Sequence, residues 1–140
     1  MRSLDVVICG AGNGASACAA LQLKKGHRVS LFTAVPGEAE RIRTRLEANG
    51  GLDATIRGER TNGLPIVVTD DPAVIGGADV IFVIVPAFAH GVILKQIGKC
   101  MKKDIKIVLI HTFHEYDFYP NHLTHVFHDF SDIPLNWAQE

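Results

Sequence analysis

A short apolar run that breaks at once into glycines constrains this chain more than any other feature. Asp5-Val-Val-Ile-Cys-Gly-Ala-Gly-Asn-Gly-Ala15 reads as a strand feeding a helix, and it carries the spacing Gly10-x-Gly12-x-x-Ala15. That spacing suits the pyrophosphate of a dinucleotide, and each small residue has its own reason to be there. Gly10 permits the tight turn after the strand. Gly12 lets the backbone approach the phosphates, and Ala15 lets the helix pack closely on the sheet. The free amides and partial positive charge of the helix start then face the anion. Gly10, Ala11, Gly12, Asn13, Gly14 and Ala15 are therefore candidate cofactor-binding residues.

The following hundred residues keep alternating strand and helix patterns. A helix is expected over 14–25, with Ala17 and Leu21 on one face and Gly26 ending it in the left-handed conformation. Residues 28–33 alternate as a second strand. Pro36-Gly37-Glu38 opens a second helix to about Asn49, with Ala39, Ile42 and Leu46 on its inner stripe. Two apolar runs, Ala54–Ile56 and Leu64–Val68, suggest a β-hairpin whose second run joins the main sheet as a third strand. Asp70-Asp71-Pro72 has the acid and proline of a helix start. Residues 79–85 form a continuous apolar run, the pattern of a strand buried on both faces. Pro86 halts it, a helix is expected over 89–100, and Lys106–Ile110 closes the series. Short connections between alternating elements imply an α/β fold, a doubly wound parallel sheet of Rossmann type with helices on both faces.

Bulk properties narrow the function further. At 140 residues and 47% hydrophobic content the chain supports one core, and a formal net charge of −1 argues against nucleic acid or an anionic membrane as partner. No apolar stretch reaches the about 18 residues needed to cross a bilayer. Cys9, Cys18 and Cys100 are odd in number and lie in strand or helix patterns, as buried thiols of a cytoplasmic protein do. The average hides a change of character near residue 111. All 14 Lys and Arg precede that point, whereas the last thirty residues concentrate histidine and aromatic side chains. Residues 1–110 thus read as a dinucleotide-binding domain and 111–140 as a divergent, irregular tail.

In this fold the ligand lies across the carboxyl ends of the strands, so the loops at 10–15, 33–37 and 85–90 matter. An NAD site commonly places an acid at the end of the second strand to hold the ribose 2′-hydroxyl. Here that position reads Phe32-Thr33-Ala34, with Glu38 and Glu40 slightly later. The missing acid leaves NADP open, but no arginine stands at the strand end to favour it. Arg41, Arg43 and Arg45 read instead as a solvated helix face paired with Glu40 and Glu47. NAD is the modest preference.

Six strings occur in order: Cys9-Gly-Ala-Gly-Asn-Gly-Ala15, Leu31-Phe-Thr33, Glu38-Ala-Glu-Arg41, Val68-Thr-Asp-Asp-Pro72, Gly77-Ala-Asp-Val80 and Val85-Pro-Ala-Phe-Ala-His90. Over residues 4–110 the chain resembles the N-terminal NAD-binding domain of the opine dehydrogenases, the octopine dehydrogenase group, with Pro86-Ala-Phe-Ala-His90 as the most specific part. That family condenses the keto group of pyruvate, or another keto acid, with an amino acid and oxidises NADH. The resemblance implies NADH despite the missing acid, because family members also lack it. It implies that Phe32, Thr33, Val85, Pro86, Phe88 and His90 border the cofactor, the last three beside its ribose and nicotinamide end. For His90 two readings stand: a polar group near the nicotinamide, or a helix-start histidine satisfied by backbone. The general acid–base histidine is implied in a second domain, so no residue here is assigned a catalytic role.

After Ile110 the resemblance stops, and His111-Thr-Phe-His-Glu-Tyr-Asp-Phe-Tyr-Pro120 opens a foreign stretch. Truncation of a longer enzyme is the simpler expectation, with Phe113, Tyr116 and Phe118 packing on the sheet edge. His111, His114, His122, His125 and His128 have spacings that metal ligands use, but no paired cysteine or His-Glu-x-x-His accompanies them and no metal is assigned. The leading expectation is an NADH-binding half-enzyme without turnover of its own. The alternatives are a non-enzymatic dinucleotide-binding or self-associating module, and a relative of the ketopantoate or glycerol-3-phosphate dehydrogenases. Pro86-Ala-Phe-Ala-His90 speaks against that last lineage.

Overall fold

Val6, Val7, Ile8 and Cys9 alternate between two apolar environments, and this alternation builds the centre of the molecule. They form strand β1, Asp5–Cys9. Val7 and Cys9 pack on one side of the sheet, Val6 and Ile8 on the other. The computed structural model describes residues 2–102 and 105–111, apart from the side chains of Ala87 and His111. The remaining elements are α1 (Asn13–Lys24), β2 (Arg28–Phe32), α2 (Glu38–Asn49), β3 (Leu52–Ile56), β4 (Glu59–Leu64), β5 (Val67–Thr69), a 3-10 helix (Pro72–Gly77), β6 (Val80–Val85), α3 (Ala87–Gly98) and β7 (Lys106–His111).

Five parallel strands form the main sheet in the order β5-β2-β1-β6-β7. The chain winds outward from β1 through β2 to β5, then crosses to β6 and β7 on the other side. The order therefore reverses between β1 and β6, the place where ligands bind in open α/β sheets. β6 is buried on both faces as its sequence predicts: Ile81 and Val83 join the cluster that contains Leu94 and Ile97 of α3. Ile84 joins the opposite cluster with Ala15 and Ala19 of α1 and Ala39 of α2. Helices thus cover both faces, and the Rossmann-type expectation holds. Asp71 caps the 3-10 helix as read, its carboxylate accepting from the Ala73 amide at 3.0 Å. Gly26 follows α1 at φ +89°.

Several local expectations are corrected. The hairpin forms, but its second strand is the polar Glu59–Leu64 rather than Leu64–Val68. β3 and β4 make a separate antiparallel pair, and only Val67–Thr69 enters the main sheet, beside β2. Pro65 between the two has no N–H for a ladder, so pairing breaks there. Ala17 and Leu21 do share a face of α1, but that face is outward: Ala15, Ala19 and Ala20 are the buried residues. Small side chains let α1 lie close to the sheet, so the larger Leu21 is left facing the hairpin, where it lines a groove with Ala54 and Ile56. α3 starts at Ala87, two residues early, because Pro86 itself serves as its N-cap. Among the described residues, no ion pair joins Arg41, Arg43 or Arg45 to Glu40 or Glu47. Such exposed pairs are worth only about 0.3–0.5 kcal/mol, too little to fix long side chains. Arg43 instead donates to the Val68 carbonyl at 3.1 Å.

Among the described residues no helix is long and apolar enough to cross a membrane. The expectations for residues 112–140, and for the His111 side chain, lie outside what is described. Cys9 and Cys18 are free thiols, the first fully buried, and burial pushes the Cys9 thiol up to about 12. The thiolate is the reactive form, so iodoacetamide at about pH 8 should leave Cys9 unmodified in the folded chain and label it in denaturant. Peptide mass spectrometry reads the result. Rapid native labelling of Cys9 would contradict the packing of β1.

Candidate dinucleotide site

The carboxyl ends of β2, β1 and β6 lie side by side, and every loop singled out in the sequence leaves from one of them. Cys9 is in register with Phe32 on one side and Val83 on the other. β6 therefore continues two residues past the end of β1, to Val85. The chain turns at Gly10, whose N–H donates to the Phe32 carbonyl at 3.0 Å. Gly10 has φ +137°, and a side chain built there would begin 2.3 Å from the Ile84 carbonyl oxygen. The turn consequently nests against the backbone of β6, which no other residue type permits.

Gly12 is different. It is the N-cap of α1 with an extended backbone (φ −82°, ψ −175°), and nothing lies within 4 Å of where a Cβ would stand. No side chain caps α1, and its first turn holds no acid. Gly12, Asn13 and Gly14 are exposed, whereas Ala15 is fully buried against the sheet. The first amides of a helix have no internal partners. Among the described residues, no side-chain carboxylate or hydroxyl caps them. This twelve-residue helix start fits a phosphate group by charge, by hydrogen-bond donors and by room. Ala11, half-buried, faces the α1 and α2 side, at the rim of a cavity of about 190 Å³ bordered by Ser16, Ile42 and Arg45.

At the end of β2, Phe32 turns its ring into the core and offers only backbone. Thr33 is 3% exposed; its amide donates to the Thr69 carbonyl at 3.1 Å, and its Oγ1 accepts from the Val35 amide at 3.3 Å. The Thr33 hydroxyl donates to the carboxylate of Glu38, in the first turn of α2. A carboxylate thus stands at the end of β2 after all, delivered five residues later by the left-handed turn at Gly37. Reading the strand end alone misses it. The signal available in the sequence was an acid directly after a glycine at a helix start.

At the end of β6, Val85 and Pro86 are half-buried and Phe88 is 75% exposed on the first turn of α3. His90 turns inward. Its ring is 1% exposed, with Nε2 2.9 Å from the Val85 carbonyl. A carbonyl only accepts, so Nε2 carries the proton of this bond. His90 thereby braces the strand end through backbone, as a satisfied helix-start histidine does. The structure brings Gly10–Ala15, Thr33 and Val85–Phe88 to one edge of the sheet and keeps the rings of Phe32 and His90 inside.

A model of the family described as NAD-dependent glycerol-3-phosphate dehydrogenase N-terminus matches residues 5–112. The chain belongs to this family. An octopine dehydrogenase of Mizuhopecten yessoensis is 38% identical over 97 residues, 63% of this chain and 24% of that protein. The chain spans about a quarter of the length of such relatives. A solved octopine dehydrogenase with NADH and L-arginine superposes with a TM-score of 0.65 at 32% identity, over 76% of this chain and 28% of that one. The resemblance to the opine dehydrogenase N-terminal domain and the expectation of NAD agree with these findings. The family model carries the glycerol-3-phosphate dehydrogenase name, while the relatives at 30% identity or more are octopine and opine dehydrogenases. A glycerol-3-phosphate dehydrogenase of Coxiella burnetii also shares the fold, with a TM-score of 0.63 at 19% identity over 79% of this chain and 33% of that one.

Proposed function

We propose that this chain binds NADH across the β1–β6 switch point and serves as the cofactor-binding part of an opine dehydrogenase-type oxidoreductase. The observation that carries this reading is the uncapped, exposed start of α1 behind Gly12, beside strand ends whose loops face the same edge. When bound, the nicotinamide would supply hydride to the carbon–nitrogen double bond formed from a keto acid and an amino acid. The chain's own residues bind and orient. The amides following Gly12 hold the pyrophosphate, and the β2 end borders the adenosine ribose. Pro86 and the exposed Phe88 wall the apolar side of the nicotinamide end. His90 holds the Val85 carbonyl and so fixes where that wall stands.

Reaction also requires the substrate carbon to be held against the nicotinamide, and positioning of this kind contributes several kcal/mol to a barrier. We assign that role, and the acid–base group, to parts of the enzyme beyond the stretch matched here. The 140 residues should therefore bind NADH, seen as a shift and enhancement of its fluorescence, without oxidising it when pyruvate and L-arginine are added. Absence of binding would sink the cofactor reading. Steady NADH consumption would sink the assignment of the substrate-orienting groups elsewhere.

A further inference from the structure

Resting on that cofactor reading, we propose that Glu38 is the residue that selects NADH against NADPH. In a doubly wound fold the adenosine ribose lies at the end of β2, next to the glycine turn. The strand end itself, Phe32-Thr33-Ala34-Val35, carries no charge. Glu38 supplies one. Gly37, at φ +75°, caps α2 so that its first residue faces back over the strand end. Thr33 then fixes the carboxylate. Its hydroxyl accepts the Val35 amide, which directs the hydroxyl proton to Glu38, and the threonine is itself buried and held by Thr69.

Two consequences follow from this arrangement. A carboxylate has about four lone-pair positions, and the Thr33 hydroxyl takes one, so acceptor capacity remains for ribose hydroxyl groups. A 2′-phosphate in the same place would bring about two further negative charges against a held carboxylate, and such like-charge juxtaposition is how sites reject a competitor.

The nearby cations bear on the opposite outcome. Arg43 is committed to the Val68 carbonyl on β5. The Arg41 guanidinium lies over the Gly37 turn, 3.6 Å from where a side chain at that glycine would begin. Arg41 is thus the cation that stands beside Glu38, on the same helix turn as the carboxylate that repels a 2′-phosphate, while Arg45 lies one turn farther along α2.

The test compares NADH and NADPH affinities of the full chain by fluorescence titration, for the unmodified protein and for Glu38→Gln, Thr33→Val and Arg41→Ala. NADH should bind at least about thirty-fold more tightly than NADPH in the unmodified chain. Glu38→Gln keeps size and hydrogen bonding but removes the charge, and should bring the two within about three-fold while weakening NADH less than ten-fold. Thr33→Val leaves the charge untethered and should lower the ratio part-way. Equal affinities in the unmodified chain overturn the proposal without recourse to any variant. So does an unchanged ratio in a Glu38→Gln protein of normal melting temperature, or a preference for NADPH that Arg41→Ala abolishes. If neither dinucleotide binds, the cofactor reading falls and takes this inference with it. If NADH binding depends on Gly12 but the ratio ignores Glu38, only the inference falls.

Discussion

Gly12→Val should weaken NADH binding by at least about a hundred-fold while lowering the melting temperature by no more than about 4 °C. The two halves of that expectation have separate causes. The backbone at Gly12 is extended, with φ −82° and ψ −175°, a conformation that β-branched residues adopt readily. Nothing lies within 4 Å of the Cβ position, so a side chain can start there without displacing the backbone. Valine is a poorer N-cap than glycine, by up to about 1 kcal/mol, which corresponds to a few degrees in a domain of this size. The same side chain, however, fills the space in front of the uncapped amides of α1. A pyrophosphate kept an ångström or two farther away loses its hydrogen bonds, which must lie within about 3 Å. Calorimetric or fluorescence titration, together with a thermal melt, separates these effects. Unchanged affinity in a folded Gly12→Val protein would remove the α1 start from the binding site.

The fold was legible where side-chain pattern and burial coincide. β6 reads as a doubly buried strand because Ile81, Phe82, Val83 and Ile84 pack alternately on both helical layers. The hairpin shows the opposite case. β4 runs Glu59-Arg-Thr-Asn-Gly-Leu64, and four of its six residues are exposed, so no apolar period marks it. Its turn depends on backbone conformation, with Arg57 at φ 51° and Gly58 at φ 82°, where arginine gives no hint of a left-handed position. α1 misleads for a related reason. In a helix of mostly small residues, size does not mark the buried face: Ala15, Ala19 and Ala20 are buried, Leu23 is half-buried and Leu21 is exposed.

The site shows the same division. Strand ends and glycine spacing locate the switch point, because they follow from topology. Which side chains face the ligand does not. Phe32 and His90 were legible as neighbours of the cofactor edge, but their rings turn inward because an apolar ring gains by burial and a buried imidazole needs a backbone partner. Glu38 went the other way. Its place depends on the left-handed Gly37 and on a hydrogen bond from Thr33, two facts about the chain path that composition does not encode.

Gly10→Ala should have the reverse profile of Gly12→Val, destabilising the fold by about 3–5 kcal/mol before any question of ligand arises. At φ +137° a side chain is strained whatever the space, at a cost of roughly 1–3 kcal/mol. The added Cβ would also stand 2.3 Å from the Ile84 carbonyl oxygen. That oxygen belongs to the backbone of β6, whose Ile84 is paired with Ile110 of β7, so it cannot retreat without disturbing the sheet. Moving the turn instead would break the Gly10 amide bond to Phe32 and displace the end of β2. A loss of this size is comparable with much of a domain's total stability of about 5–15 kcal/mol, and should lower the melting temperature by more than about 10 °C. Cys9, the neighbouring residue, reports the change independently: its alkylation should accelerate as β1 loosens. A Gly10→Ala protein that melts within about 3 °C of the unmodified chain would show that the turn does not nest against β6. If both variants behave as expected, the glycine motif divides into one residue that the sheet requires and another that only a bound anion requires.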